Sequence, residues 1–300
     1  MTKRNIVFLL SIFIVLMAIS WWPKIAEKLP KPKAKPVVDF SAWHSGNTSQ
    51  ITIKQGSQSA VLLKQEGKWK IAGFKSDEGK IKDLINSLQN TEVKYTVSEN
   101  TLNQEEYSLS TASGTNLSLK GPEKNLSLVT GKKAPLENGY YFRLEDSDRV
   151  YVASGDLPDK LNTQVSYWRD KTVANLDSHK LTEIKISGQK SFILRKNADN
   201  KWQLIYGNKT TDLKSEDING ILDKLMPLTA DGFADTNEKD SFRKSRHDWT
   251  VNITGSDFSS QLQAQTQDGY FLVSYSGNPE IYKIYNFNLN PLITVWEKSQ

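Results

Sequence analysis

The feature that most constrains this chain is that, after Pro36, it says the same thing twice. Ile51-Thr52-Ile53, Ala60-Val61-Leu62-Leu63 and Lys68-Trp69-Lys70-Ile71 read as three short strands, and Ile184-Lys185-Ile186, Phe192-Ile193-Leu194 and Lys201-Trp202-Gln203-Leu204 repeat them in order. A helix signal follows in each copy. Ile81, Leu84, Ile85 and Leu88 stand at i, i+3, i+4 and i+7, and Ile218, Ile221, Leu222 and Leu225 keep the same spacing. That spacing puts four apolar side chains on one helical face. Ser76-Asp77 and Ser215-Glu216 stand ahead of the two runs as N-terminal signals, with Gly79 sitting awkwardly in the first turn of the first helix. Each copy then has a polar stretch ending in an aromatic, Glu105-Glu106-Tyr107 and Asp240-Ser241-Phe242.

Alternating segments close each copy. Asn116–Leu119, Leu126–Leu128, Gly139–Arg143 and Arg149–Val152 match Thr250–Ile253, Gln261–Gln263, Gly269–Val273 and Ile281–Ile284. Period-two alternation rich in β-branched and aromatic residues argues antiparallel strands. The expected fold class is therefore α+β. Two tandem related modules are predicted at 40–166 and 167–300, each a mostly antiparallel sheet of order β-β-β-α and four further strands, with one covering helix. The join falls near Tyr167-Trp168-Arg169-Asp170-Lys171.

The remaining N-terminal part carries most of the charge signal. The chain is formally +5, yet residues 1–36 hold Lys3, Arg4, Lys24, Lys28, Lys31, Lys33 and Lys35 against Glu27 alone, which leaves the rest of the chain near −1. A basic domain binding nucleic acid is thus poorly supported. Residues 6–22 (IVFLLSIFIVLMAISWW) carry no charge. As a helix they would reach roughly 25 Å, at the short end for a bilayer core. Trp21 and Trp22 suit an interfacial belt, and Pro23 stops the helix. The reading is a transmembrane signal anchor at 6–22 behind a cytoplasmic end at 1–5. The alternative is a cleaved signal peptide with its small-residue site at Ala18-Ile19-Ser20. Residues 23–39 form a Lys/Pro-rich spacer, stiff and extended, whose lysines would also be drawn to anionic headgroups. The body is expected in the periplasm, or otherwise outside the cytoplasm.

Chemistry is sparse. The chain has no cysteine, which removes disulfides, thiolate metal sites and cysteine nucleophiles. His44, His179 and His247 show no metal spacing. Arg246-His247-Asp248 is read as a solvated loop, because neighbouring strand residues point to opposite faces. Glu145-Asp146-Ser147-Asp148 is read as a hairpin loop. The run Asp231, Asp235, Asn237, Glu238, Asp240 lacks the alternation, central glycine and distal glutamate of a calcium loop. Gly131-Lys132-Lys133 reads as a lysine turn, not half a phosphate loop. No catalytic, cofactor-binding or metal-ligating residue is expected, and no cofactor. Tyr140, Tyr141, Phe142, Tyr270, Phe271, Tyr275, Tyr282, Tyr285 and Phe287 are placed on strands, mostly as core, with an exposed recognition face as the alternative.

Several motifs in order resemble one family: Gly67-Lys68-Trp69 before a helix, Gly139-Tyr140-Tyr141-Phe142-Arg143, Arg149-Val150-Tyr151-Val152, Trp168-Arg169-Asp170-Lys171, Leu176-Asp177 and Ile184-Lys185-Ile186. Together, from about Phe40 to the C-terminus, they resemble the bacterial family known as domain of unknown function 4340. One departure is Tyr107-Ser108-Leu109, where that family commonly has a Tyr-Gly-Leu-like step. The resemblance implies a single-anchor protein of the bacterial inner membrane. It also implies association with an ABC-type export system resembling that of gliding motility, and it carries no catalytic residue. The expected function is a non-enzymatic accessory or scaffold protein whose partners are the bilayer and such transporter subunits. The alternatives are an envelope polysaccharide- or lipid-binding module and, behind it, a hydrolase of unrecognised type.

Overall fold

The computed structural model describes residues 38–299, so the segments at 1–5 and 6–22 and nearly all of the spacer lie outside the described residues. The chain divides into two compact units, the first ending at Trp168 and the second beginning at Arg169.

The first unit runs β1 (Gln50–Gln55), β2 (Gln58–Gln65), β3 (Lys68–Ile71), β4 (Phe74–Lys75), α1 (Glu78–Gln89), β5 (Glu92–Ser98), β6 (Thr115–Lys120), β7 (Asn125–Lys133), β8 (Gly139–Leu144) and β9 (Val150–Ser154), then two helical turns, α2 (Leu157–Lys160) and α3 (Val165–Trp168). The second runs β10 (Thr172–Ala174), β11 (Leu181–Gly188), β12 (Phe192–Lys196), β13 (Trp202–Tyr206), β14 (Lys209–Asp212), α4 (Ser215–Leu225), β15 (Leu228–Thr229), β16 (Gly232–Phe233), α5 (Thr236–Lys244), β17 (Trp249–Gly255), β18 (Ser259–Thr266), β19 (Tyr270–Tyr275), β20 (Asn278–Tyr285) and α6 (Asn286–Ile293).

Both units build a nine-stranded sheet with one topology. Strand order is β4-β3-β2-β1-β6-β7-β8-β9-β5 in the first and β14-β13-β12-β11-β17-β18-β19-β20-β16 in the second. All pairings are antiparallel. Four strands meander to one edge, a helix carries the chain back to the opposite edge, and four more strands fill the gap. The duplication reaches single side chains. Lys64 faces Trp69 across β2–β3 and Lys196 faces Trp202 across β12–β13, each ammonium over its indole at 5.9 and 5.4 Å. Such pairs add cation–π attraction to the buried ring.

The helix faces read from spacing are the buried ones. Ile81, Leu84, Ile85 and Leu88 of α1 pack with Ile51, Ile53, Leu62, Trp69 and Phe142, and Ile218, Ile221 and Leu225 of α4 sit in the equivalent core with Ile184, Leu194 and Trp202. Burying such aliphatic side chains is worth about 1.5–3 kcal/mol each.

Several elements depart from the sequence reading. Each sheet has nine strands where seven were expected. The edge strands β4 and β14 are short, and β5 and β16 return beyond the helix. The second unit has more than one covering helix. Leu289, Leu292 and Ile293 of α6 join the α4 side of its core, and α5 covers the other side of the sheet through Phe242. Residues 286–293 carry Pro291 inside the helix, which masks them as a helix in the sequence. Phe287 accordingly lies on α6 and not on a strand. Gly131-Lys132-Lys133 belongs to β7 rather than to a turn. There a Cβ on residue 131 would lie 2.1 Å from the Tyr107 carbonyl oxygen, so the glycine serves close backbone approach. The two aromatic strands are also offset by one residue from the glycine-led match. Tyr140 and Phe142 face the main core of the first unit, and Phe271 and Val273 that of the second.

Among the described residues no helix is long and apolar enough to cross a membrane.

Candidate functional site

The motif Trp168-Arg169-Asp170-Lys171 sits at the boundary of the two units, and each side chain has its partners within its own unit. In the first unit Trp168 is fully buried; its indole N–H donates to the Asn162 carbonyl at 2.7 Å, and its own carbonyl accepts from the Asp77 N–H at the start of α1. In the second unit Asp170 accepts from the Thr172 N–H at 2.9 Å, and Lys171 Nζ donates to the Asp231 carbonyl at 2.6 Å.

Arg169 enters a charged cluster of the second unit. Helix α5 starts with a reciprocal capping box: Asp235 accepts from the Glu238 N–H at 2.9 Å while Glu238 accepts from the Asp235 N–H at 2.8 Å. The other Glu238 oxygen accepts from the Tyr270 hydroxyl at 2.7 Å and pairs with Lys283 Nζ at 2.6 Å. At the next position Lys239 Nζ reaches Glu280 at 3.1 Å, and Arg169 Nη2 meets the same carboxylate oxygen at 2.9 Å. The guanidinium lies over the Phe233 ring, 3.5 Å from its centroid.

The titration behaviour follows from these contacts. Burial would raise the Glu280 carboxyl, but hydrogen bonds from Arg169 and Lys239 hold it below its usual range. Burial works the same way on Glu238, where Lys283 and the Asp235 N–H win and lower it. Burial would lower Lys283, and Glu238 raises it instead. The Tyr270 hydroxyl is raised by donating to Glu238. Both carboxylates are held ionised, the opposite of what a general acid at neutral pH requires. The arrangement binds α5 to β16, β19 and β20.

The sequence-flagged residues are dispersed. His44 is exposed, its Nδ1 2.8 Å from Gln89 Nε2. His179 is exposed in the turn before β11. His247 lies in the loop between α5 and β17 but is half-buried and not fully solvated: its ring packs on Phe242 at 4.4 Å, and its Nε2 is buried. Asp248 Oδ2 accepts from the Thr266 N–H at 2.7 Å. The acidic run diverges, with Asp231 accepting from the Tyr285 N–H, Asp235 and Glu238 in the capping box, and Asp240 3.9 Å from Arg243. Glu145–Asp148 forms the β8–β9 turn. Among the described residues no group of three or more His, Asp or Glu side chains is placed to hold a metal ion.

Two depressions among the described residues are lined by titratable side chains. A cavity of about 160 Å³ in the first unit is lined by Lys133, Leu136, Tyr140, Asp156 and Asp159. Behind it Ser87 donates to Asp156, lowering that carboxyl, and the Tyr140 hydroxyl pairs with Thr91 at 2.9 Å. A wider cleft of about 710 Å³ in the second unit is lined by Gln189, Ser191, Arg246, His247 and Asp248.

Of the aromatic residues, Tyr140, Phe142, Phe271 and Tyr282 are buried, whereas Tyr285 and Phe287 are 51% and 64% exposed and lie with ring centroids 6.0 Å apart. Lys224 stands 5.8 Å from the Phe287 ring. Sequence reasoning did not single out this pair from the other aromatics, because the helix that displays Phe287 was not read.

No curated protein and no solved structure matches the chain. A family model, described as a domain of unknown function (DUF4340), matches residues 69–245. That span begins at Trp69 in β3, ends just after α5, and includes the Trp168–Lys171 junction and Arg169. It is narrower than the stretch from Phe40 to the C-terminus over which the motifs were read, but it is more than half of the chain. By that match the chain belongs to the DUF4340 family.

Proposed function

We propose that this chain is a membrane-tethered, non-enzymatic accessory or scaffold protein of the bacterial envelope, with its body in the periplasm and its partners among the subunits of an ABC-type export system. The observation that carries this reading is the order of parts. An uncharged run at 6–22 and a Lys/Pro spacer precede two copies of one broad sheet module, and the half-buried ion pairs Arg169–Glu280 and Lys283–Glu238 of the second copy hold its own helix in place. Such a body offers wide sheet faces for protein contacts. The transporter partner comes from the family resemblance and is an analogy of context. The test is a detergent pull-down with a tag after Gln300. Co-purification of transporter subunits is expected; recovery of this chain alone, under conditions that keep known envelope complexes together, would refute it.

A second reading is favoured by Tyr285 and Phe287. Exposed neighbouring rings flanked by Lys224 and Asn288 suit stacking on sugar rings of an envelope polysaccharide. Fluorescence titration with envelope glycans, in the natural chain and in Tyr285→Ala/Phe287→Ala, tests it. A response that persists in the double variant, or none across a broad panel, removes this reading.

A further inference from the structure

The two sheets have one topology, so the same surface can be compared in both, row by row. Residues directly opposite in antiparallel strands project to the same face. In the first sheet one outward row crosses five strands as Lys120, Gln50, Leu63, Lys70 and Lys75. The equivalent row of the second sheet is Thr254, Glu183, Arg195, Gln203 and Asp212. The first row carries three positive charges and no carboxylate. The second carries one arginine against two carboxylates, with Arg195 paired to Glu183 at 2.6 Å.

Around the first row the face stays basic. Lys54 and Lys68 extend it, and Thr52, Ser59, Asn116, Ser118 and Ser127 fill the neighbouring outward positions. Val61 and Leu63 stand among these lysines, 38% and 39% exposed, although their strand neighbours Ala60 and Leu62 are fully buried. Carboxylates occur at the rim, Glu66 in the β2–β3 turn and Glu123 in the β6–β7 turn.

We propose that this face of the first unit, centred on Val61 and Leu63 and ringed by Lys54, Lys68, Lys70, Lys75 and Lys120, lies on an anionic lipid surface. Lysine ammonium groups are attracted to acidic headgroups, and two exposed aliphatic side chains suit the headgroup boundary. The proposal rests on the membrane-tethered reading, and the tether strengthens it. Residues 23–37 separate the apolar run from the first described residue. At about 3.1 Å per residue in extended form they reach roughly 45 Å, and they lead into the unit that carries the basic face. A face held this close to lipid meets it at high effective concentration, so weak attraction suffices. The counterpart row on the second unit, farther along the chain, lacks this charge.

The chain is cysteine-free, so single labels are unambiguous. The full chain carrying Leu63→Cys or Gln203→Cys, each with an environment-sensitive fluorophore, is incubated with phosphatidylcholine vesicles with or without 30 mol% phosphatidylglycerol. Flotation reads the anchor. Shielding from aqueous acrylamide, and quenching by spin-labelled headgroups, read the face. The expected result is flotation with both vesicle types and a several-fold shielding of residue 63 only with phosphatidylglycerol. Residue 203 should be unaffected, and the shielding should be lost in 0.5 M salt. Lys54, Lys68, Lys70 and Lys120 changed together to Gln should abolish it, weakening the lipid contact on the order of a hundredfold or more. Flotation with phosphatidylglycerol vesicles alone, lost in the glutamine variant, would sustain the face while refuting the anchor. Flotation with both vesicle types and equal exposure of residue 63 in each would overturn the face while sustaining the anchor. Flotation with neither overturns both. Shielding by heparin without a response to vesicles would assign the face to a soluble polyanion and overturn the proposal.

Discussion

Arg169 and Glu280 meet at 2.9 Å with side chains only 10% and 15% exposed, and Lys239 of α5 shares the same carboxylate oxygen. One anion therefore joins the first residue of the second unit, the strand β20 and the helix that covers it. Removing the carboxylate leaves two cations close together in a poorly hydrated place. Glu280→Gln is expected to lower stability by about 2–4 kcal/mol in urea denaturation. The pH dependence follows in sign. Glu280 and Glu238 both titrate below the usual carboxylate range in the folded chain, so they bind fewer protons than when unfolded. Their contribution is complete above the unfolded carboxylate range, near pH 4.3, and is lost as pH falls through the lower folded values. Melting temperatures below about pH 4.5 should fall less steeply in Glu280→Gln than in the natural chain. Equal acid slopes would show that this cluster does not govern the acid limb.

The paired tryptophans test whether the duplication extends to energetics. Trp69 and Trp202 are buried in equivalent places, each below the lysine opposite it. Truncating either to Ala should cost about 3–5 kcal/mol. Lys64→Gln and Lys196→Gln should each cost no more than about 1 kcal/mol, since the cation–π part acts at a partly exposed site. Chemical denaturation of the four variants checks this. A tryptophan substitution costing less than its lysine partner would contradict the assigned packing.

The equivalent helices are capped differently, and this is measurable. Asp77 caps α1, accepting from the Lys80 N–H at 3.2 Å, whereas Lys214 occupies the N-cap of α4 with extended backbone and no side-chain capping bond. Lysine is also the wrong sign for a helix N-terminus. Asp77→Ala is expected to cost about 1 kcal/mol, and Lys214→Ser to gain a similar amount. Opposite shifts in thermal denaturation are the expected outcome. A loss on Lys214→Ser would mean that the lysine stem contributes packing that outweighs the missing cap.

The repeat was legible because its strongest signals are local. Trp69 and Trp202, and the two i, i+3, i+4, i+7 runs, are set by local periodicity and survive divergence between the copies. What escaped notice was not periodic. β5 alternates through Val93, Val97 and the more exposed Tyr95, but it is an edge strand with register shifts between Val93/Tyr95 and Thr96/Ser98, which blur the pattern. Helix α5 is nearly all polar apart from Phe242, since it rests on the sheet through that ring and through ion pairs. The Arg169 cluster was out of reach for a different reason. Its members lie more than a hundred residues apart in sequence, at 169 and 280, and only the sheet topology brings them together. The basic face likewise needs strand register to be seen, because its lysines are scattered among carboxylates along the chain.

Ser108 departs from the family's Tyr-Gly-Leu-like step, and the structure supplies the physical reason for a glycine there. Its φ is +57°, in the left-handed region where a Cβ is penalised. The conformation is imposed by its neighbours. Tyr107 packs on Tyr141 with ring centroids 4.6 Å apart and planes tilted by 43°, the Tyr107 carbonyl accepts from the Lys132 N–H at 3.1 Å, and Leu109 is fully buried against Val129 and Val150. Between two anchored residues the backbone turns sharply, and Ser108 N–H donates to the Glu105 carbonyl at 3.0 Å. Glycine would relieve the left-handed penalty but lose more entropy on folding. The balance favours Ser108→Gly by roughly 0.5–1 kcal/mol. Ser108→Val, whose branched side chain tolerates positive φ least, should lower stability. Thermal denaturation of the two variants, read with near-ultraviolet circular dichroism for the Tyr107–Tyr141 pair, gives the comparison. A stability order of Val above Ser above Gly would show that the turn relaxes out of the left-handed conformation in solution.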